Sequence, residues 1–564
     1  MLKSKHVILL FLFLLLSFPL FPQQVFTIVT DSMGITGLDG LGHSIGWCDI
    51  DNDGDLDVAF SNQNDDSFWL FRNDGDHFTK ITNSAGLGGL NAYRIIWAEV
   101  TGDTFTDLIL RDWDGYQRVY RNNDGYFTLI TSSLPGIVVA AADFNNDGAT
   151  DLLSLSSSAT YILYNDGSGN FTTRTIYPYS NSFTCAVCFD YDLDGKVDVY
   201  LGTYGGGANK LLKNVEADSF VDVTVEAGVV WDSATSGVTA GDYNNDGYPD
   251  LYLGNNSSPG CKLFRNNGDG TFTDVTNSAG VLGHDDTRTA EFVDYNNDGY
   301  LDIFVSNHDF YVYSNQMYRN NGDGTFTDVG SSLGLSGQFI GDYFGTAWGD
   351  FNNDGAIDLF AVGHIDKYVL YRNDNVPGNF LTVKLVGTQS NYNGIGAMLK
   401  LWSGFQTLTR FVIAGEGMHD FHSFPVEFGL DNTPLVDSLY IFWPSGIVQR
   451  LYSIPANQFI TVVEGITGIS EKLPDDFYLS CQSILVREYA VFETNIPLNL
   501  MVDRHIRIYN PAGELVKSIG MDGTSKRFYW DGKSENNSEL PSGVYIYTIN
   551  TKKGMFRNKL ILVK

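Results

Sequence analysis

Asp49-Ile50-Asp51-Asn52-Asp53-Gly54-Asp55-Leu56-Asp57 decides how the chain is organised, because the pattern Asp-x-(Asp/Asn)-x-Asp-Gly-x-x-Asp returns until residue 358. Full copies begin at Asp49, Asp143, Asp190, Asp242, Asp294 and Asp350, and a degenerate copy begins at Glu99. The successive intervals are 50, 44, 47, 52, 52 and 56 residues. Self-similarity at one period predicts a repeat architecture.

The phrase has a chemical rationale. Oxygen-bearing side chains at positions 1, 3 and 5 of a tight loop converge on one side, and position 9 returns a carboxylate from the next strand. These residues are Asp49, Asp51, Asp53 and Asp57; Asp143, Asn145, Asp147 and Asp151; Asp190, Asp192, Asp194 and Asp198; Asp242, Asn244, Asp246 and Asp250; Asp294, Asn296, Asp298 and Asp302; and Asp350, Asn352, Asp354 and Asp358. Such all-oxygen cages suit a hard cation, with calcium favoured over magnesium. Carboxylates crowded this closely repel unless a cation compensates them. The Gly at position 6 turns the loop without a Cβ penalty. Asp-Asn-Gly text is also ordinary turn chemistry; six full copies, each followed by an apolar strand, favour metal loops. In the second unit Thr101 replaces the second ligand and Thr104 the turning Gly, so a weak or empty site is expected there.

Around each phrase lie four short strand signals. In the clearest unit they are Phe220–Thr224, Gly237–Asp242, Asp250–Gly254 and Lys262–Gly268. Runs this short, bounded by Gly and Asn, are not helices of ordinary length. Four strands per period of about 50 residues is the signature of a propeller blade. Seven phrases predict an all-β chain with a seven-bladed β-propeller over residues 24–377, and Val25–Thr30 matches the strand needed at the seam. Closure removes exposed edges. An Arg-Asn pair recurs at Arg72, Arg121, Arg265, Arg319 and Arg372; local pairing with acidic turns is expected, in preference to a binding stripe. Trp47, Trp97, Trp231 and Trp348 are expected to pack between blades.

These units resemble the FG-GAP or VCBS repeats of integrin-type propellers and of many secreted bacterial proteins. The resemblance implies structural calcium in the loops, tying hairpins together without attacking a substrate.

The 564 residues exceed one modest core. Against 35 basic residues stand 67 acidic ones, for a net charge of −32, so no basic stripe is available for nucleic acid. Gly at 60, Tyr at 31 and Phe at 38, with Pro at 15, suit twisted sheets. Lys3 and Lys5 precede an apolar run from Val7 to Phe21, which reads as a signal peptide over residues 1–23 and leaves no transmembrane span in the mature chain. Cys185-x-x-Cys188 lies on a strand, where residues three apart face opposite ways; a core role is expected in preference to a bridge, redox chemistry or metal binding. Cys48, Cys261 and Cys481 are isolated.

Beyond the ring, residues 378–465 alternate as a small β module. Asn391-Tyr-Asn-Gly-Ile-Gly-Ala397 and Trp443-Pro-Ser-Gly446 resemble the ASPIC/UnbV module of cartilage-acidic-protein-like sequences. Within it Glu416, His419, Asp420 and His422 form a polar cluster. Zinc binding or acid–base work would need a third distant ligand or a known catalytic spacing, so a surface loop with ordinary histidines is expected. A linker over 466–482 and a last β module over 483–564 follow. Ile506–Gly513, Trp530-Asp-Gly532 and Lys559–Lys564 resemble FlgD-like immunoglobulin-type domains and the sorting domains of type IX secretion substrates. That resemblance implies contact with secretion machinery; a plain terminal sandwich is the alternative. Two small sandwich-like modules are thus expected after the propeller.

The sequence lacks nucleophile elbows, phosphate loops and dinucleotide fingerprints. The function expected is a non-enzymatic, calcium-binding adhesion or interaction module at the cell surface or secreted, with an extracellular protein or glycan as partner. The loops Gly280–Thr289 and Asn307–Asn315 are candidate contacts. An enzyme acting on an extracellular polysaccharide and a surface-layer component are the alternatives.

Overall fold

The computed structural model describes residues 26–465 apart from 37–41, 63–66, 179–182, 206, 217–218, 259, 285, 308–313, 336–342, 364–367, 375–377, 405 and 417–419. It also describes 479–562 apart from 482–484, 487–489, 495–503, 511–514, 522–526 and 552–553. The signal-peptide reading, most of the linker and most of the Asn307–Asn315 loop lie outside these residues.

Seven four-stranded antiparallel blades form the first part of the chain. Their innermost strands are Gly42–Cys48, Arg94–Ala98, Ile137–Ala142, Phe183–Phe189, Thr235–Gly241, Thr287–Val293 and Tyr343–Gly349. Each second strand begins at a position-9 Asp, in the register Cys48↔Asp57, Ala98↔Asp107, Ala142↔Asp151, Phe189↔Asp198, Gly241↔Asp250, Val293↔Asp302 and Gly349↔Asp358. All seven phrases therefore occupy one place, the loop between first and second strands, on one face of the ring. The seam closes as the repeat text implies: Phe26–Ile28 pairs with Tyr368–Asn373, with Phe26 opposite Asn373 and Ile28 opposite Tyr371.

Blades meet through small and aromatic side chains. Trp47, Trp97 and Trp348 are fully buried. The Trp47 indole donates to the Ala347 carbonyl of blade 7 at 3.0 Å and packs beside Phe351 and Phe360. A Cβ at Gly349 would lie 2.8 Å from Leu56 and 3.1 Å from Trp47, which explains glycine there. Trp231 differs: it is half-buried, beneath the Lys262 ammonium. Cys48, Cys185, Cys188 and Cys261 are buried and outside any disulfide, and Cys185 and Cys188 enter different core clusters, as strand alternation requires.

The next module is a two-sheet sandwich. Asn379–Val386 pairs with Val426–Asp431 and Gln458–Val463, facing a sheet of Met398–Ser403, Gln406–Phe411, Leu435–Phe442 and Val448–Pro455. The last module is a second sandwich, with Phe492, Ile506, Trp530, Tyr545 and Tyr547 in its core. Its strand Leu479–Cys481 pairs with Ala490–Thr494, so the sandwich starts inside the stretch read as linker. Among the described residues, no helix is long and apolar enough to cross a membrane.

Candidate metal centres and the plugged channel

The full phrases beginning at Asp143, Asp190, Asp242, Asp294 and Asp350 fold into the same loop, the first carboxylate accepting the N–H groups of positions 5 and 6, whereas Asp49 pairs with Lys384 instead. In blade 5 the Asp242 carboxylate accepts the N–H groups of Asp246 at 3.0 Å and Gly247 at 2.8 Å, and Asp246 Oδ1 accepts the N–H of Tyr248 at 3.0 Å. Gly247 holds φ at +99° and Gly54 likewise, a conformation that disfavours any other residue. Carboxylate oxygens of Asp49, Asp51 and Asp57 lie within 4.8 Å of one another, as do those of Asp190, Asp192 and Asp194. A hard cation fits these donors. Lysines also approach them: Lys384 reaches Asp49 at 2.8 Å, and Lys213 pairs with Asp192 and, at 3.1 Å, with Asp194.

Position 9 has a structural role as well. Asp57, Asp151, Asp198, Asp250, Asp302 and Asp358 are essentially inaccessible. In blade 5, Asp250 Oδ1 accepts the N–H of Asn266 at 2.7 Å and Oδ2 that of Tyr243 at 3.3 Å. Burial, reinforced by neighbouring carboxylates, pushes Asp151 and Asp198 up to about 8, and Asp294 and Asp350 up to about 7. A bound cation would reverse that effect.

The degenerate unit is built differently. Glu99 Oε1 accepts the N–H groups of Thr101, Gly102 and Asp103 at 2.8, 2.5 and 3.0 Å, and burial raises Glu99 to about 7. The Arg121 guanidinium binds Asp103 at 3.0 Å, supplying a positive charge within the protein.

Two sets of asparagines bind the loops to one another, and the sequence reading passed over both. The Asn of each recurring Arg-Asn pair, or its equivalent, donates to the position-2 carbonyl of the preceding blade's loop. The bonds run from Asn73 to Phe351, Asn122 to Ile50, Asn165 to Val100, Asn214 to Phe144, Asn266 to Tyr191, Asn320 to Tyr243 and Asn373 to Tyr295, all at 2.7–2.9 Å. Position-4 asparagines Asn52, Asn146, Asn245, Asn297 and Asn353 sit at φ of 55–58° and donate to the following loop, with Asn353 reaching Gly54 across the seam at 3.3 Å. Recurrence of Asn at those positions was the available signal. The adjacent arginines do pair locally where they pair: Arg72 with Asp74 at 2.7 Å and Arg372 with Asp374, while Arg265 and Arg319 are exposed.

The 378–465 sandwich covers the metal-loop face. The Gly429 N–H donates to Asp294 at 3.2 Å, Gln406 to the Asp298 carbonyl at 3.1 Å, and Asn393 accepts the Glu99 N–H at 2.8 Å. From this module residues 412–416 and 420–424 enter the propeller channel. Asp420 and Phe421 pair in parallel with Ile45 and Gly46, and Ala414 accepts the Ala141 N–H at 2.9 Å.

This overturns the surface-loop expectation for the polar cluster. Asp420 is fully buried and accepts from the Thr289 hydroxyl at 2.5 Å and the Thr346 N–H at 2.8 Å. Glu416 accepts from Thr239 at 2.5 Å. His422 Nδ1 accepts the Trp348 N–H at 3.0 Å, and burial lowers this imidazole to about 4. Glu291, fully buried, accepts from the Thr346 hydroxyl and the Trp348 indole at 2.6 and 2.7 Å, and one of its oxygens lies 3.0 Å from the Thr289 hydroxyl, whose single proton goes to Asp420. Burial first, then the Asp420 carboxylate, raises Glu291 well above its ordinary value. His419 lies outside the described residues. A cavity of about 130 Å³ remains between ring and module, lined by residues including Asp242, Trp348, Arg410, His422 and Glu427. The acids of the plug thus hold channel walls through hydrogen bonds.

The model of the FG-GAP-like repeat matches residues 49–110, 99–154, 143–201, 190–253, 242–305 and 294–361, over half of the chain. The chain belongs to the FG-GAP-like repeat family. The match runs from the first Asp phrase to the last, and the model named ASPIC and UnbV matches residues 387–468, the module that plugs this FG-GAP ring. Cartilage acidic protein 1 of Xenopus tropicalis is 24% identical over 363 residues, covering 60% of this chain and 51% of that protein. The Homo sapiens protein of the same name is 25% identical over 366 residues, covering 60% and 50%. The chain therefore spans about half the length of the curated relatives it matches. Among solved structures, an ancestral GH74 enzyme aligns with a TM-score of 0.37 at 10% identity, covering 93% of this chain and 62% of that one; likeness at this level carries no argument.

Proposed function

We propose that this FG-GAP protein is a secreted or cell-surface interaction module, held rigid by calcium in its six full loops and without catalytic activity of its own. The observation that supports this most directly is the use made of its acids. The repeat carboxylates lie in loops on one face, those of the loops at Asp49 and Asp190 converging within 4.8 Å, and the plug carboxylates Glu416 and Asp420 are engaged by channel hydroxyls. A general acid or base needs a group within reach of substrate, whereas a rigid ring presenting loops suits recognition. The partner class is an extracellular protein or glycan, and the terminal sandwich is proposed to serve export by a type IX route. Incubating the purified protein in calcium with glycan and protein arrays, while following polymer length, tests the reading. Retention on an array without shortened polymer supports it; shortened polymer refutes it.

A further inference from the structure

The ring has a second face, where the innermost strands begin and where, among the described residues, no strand of the module pairs. Around the axis there, the half-buried rings of Tyr93, Trp113 and Phe344 surround the His43 imidazole at centroid distances of 4.5, 5.0 and 5.7 Å. The Arg288 guanidinium lies 5.1 Å over Phe344, which belongs to the next blade. It also bonds the Tyr204 hydroxyl at 2.5 Å, from a blade on its other side. Contacts that skip a blade in this way place the group over the channel mouth.

The hydrogen-bond donors here are in surplus. Arg94 bonds the Thr184 and Val139 carbonyls at 3.3 and 3.4 Å, and Arg111 bonds the Gly115 and Gly136 carbonyls. Arg288 adds Asn256 Oδ1 at 3.0 Å. The nearby carboxylates include Asp286, 3.7 Å from Arg288, Asp112, paired with Arg118 at 2.6 Å, the exposed Asp114 next to Trp113, and Asp420 of the plug, whose charge acts on Arg94. Most of these guanidinium donors therefore meet neutral oxygens. Among the described residues, Trp113 Nε1 and the Nε atoms of Arg94 and Arg288 are buried with no hydrogen-bond partner. Arg288 itself is 6% exposed. Buried donors without acceptors are costly, and together they describe the complement of an oxygen-rich, negatively charged group.

We propose that this mouth binds a carboxylate-bearing glycan, the acid group meeting the arginine donors and a sugar face lying on the Trp113 and Tyr93 rings. The inference rests on the interaction-module reading and names its site and ligand class. Guanidinium matches carboxylate geometry, and half-buried aromatic rings offer flat apolar area beside polar groups.

The test is titration calorimetry on the full chain in calcium, with a hexasaccharide of alternating glucuronate and N-acetylglucosamine and its carboxyl-reduced form. Binding of the acidic form alone is expected, weaker in high salt. Trp113→Ala and Arg111→Gln should each weaken it by about tenfold or more, with melting still cooperative, and ligand should alter tryptophan fluorescence in the unsubstituted protein but not in Trp113→Ala. Binding that survives both substitutions, absence of binding, equal binding of the reduced form, or equal binding of an acidic peptide overturns the inference and leaves the interaction reading standing. Shortening of the hexasaccharide contradicts that reading itself.

Discussion

Asn266→Ala removes one link of the asparagine ring without touching a proposed metal ligand. Asn266 is 1% exposed; its amide donates to Tyr191 O at 2.8 Å and Pro249 O at 3.0 Å, and its carbonyl accepts the Gly268 N–H at 3.0 Å. Three bonds at about 1 kcal/mol each are lost, and two buried carbonyls lose a donor, which adds about 1 kcal/mol or more. The expected loss is about 4 kcal/mol. For a ring of this size that lowers the melting midpoint by about 8 °C, at about 2 °C per kcal/mol. The neighbouring Asn267 bonds Thr271 Oγ1 at 3.0 Å on the surface, so Asn267→Ala is the control, expected within about 0.5 kcal/mol. Thermal scans by near-ultraviolet circular dichroism in saturating calcium measure both. Equal melting of the two variants would refute the claim that this asparagine couples neighbouring loops.

Asp246→Ala is expected to lower the melting midpoint in calcium and to have a smaller effect in chelator, because an ion bound to the folded state adds stability with its concentration; equal losses under both conditions would remove Asp246 from the ligand set. Glu291→Gln addresses the plug: burial and Asp420 raise the folded-state pKa of Glu291 above its unfolded value, so its contribution to stability declines as pH rises from the unfolded carboxyl range towards the folded one. Gln keeps the neutral form, and melting between pH 5 and 9 should fall less steeply in the variant; parallel profiles would oppose this. Gly415 holds φ at +96°, and a Cβ there would collide with the Val139 carbonyl oxygen. Gly415→Val should therefore loosen the plug, seen as faster proteolysis between residues 405 and 425 with the ring intact, and unchanged digestion would show that docking tolerates the side chain.

The fold was legible where chemistry recurs. The Asp phrase marked the first-to-second-strand loop of every blade, and the Val25–Thr30 text anticipated the seam strand at Phe26–Ile28. The asparagines were visible as repetition, but their meaning depends on which carbonyl the neighbouring blade presents, and that is a property of the closed ring. The plug left no periodic trace. Glu416, Asp420 and His422 resembled an exposed polar loop because burying such groups is costly unless partners are supplied. The partners, Thr239, Thr289, Thr346 and Trp348, lie 74 to 177 residues away and carry no mark of the role. His43, Trp113 and Arg288 likewise lie far apart in the chain, and only the ring brings them to one mouth.

Calcium bound per protein, measured by elemental analysis on the purified chain and paired with melting in calcium and in chelator, tests the central claim most directly. About six ions, released by chelator together with a large fall in the melting midpoint, are the result expected from six full loops; no bound ion and coincident melting curves would contradict it.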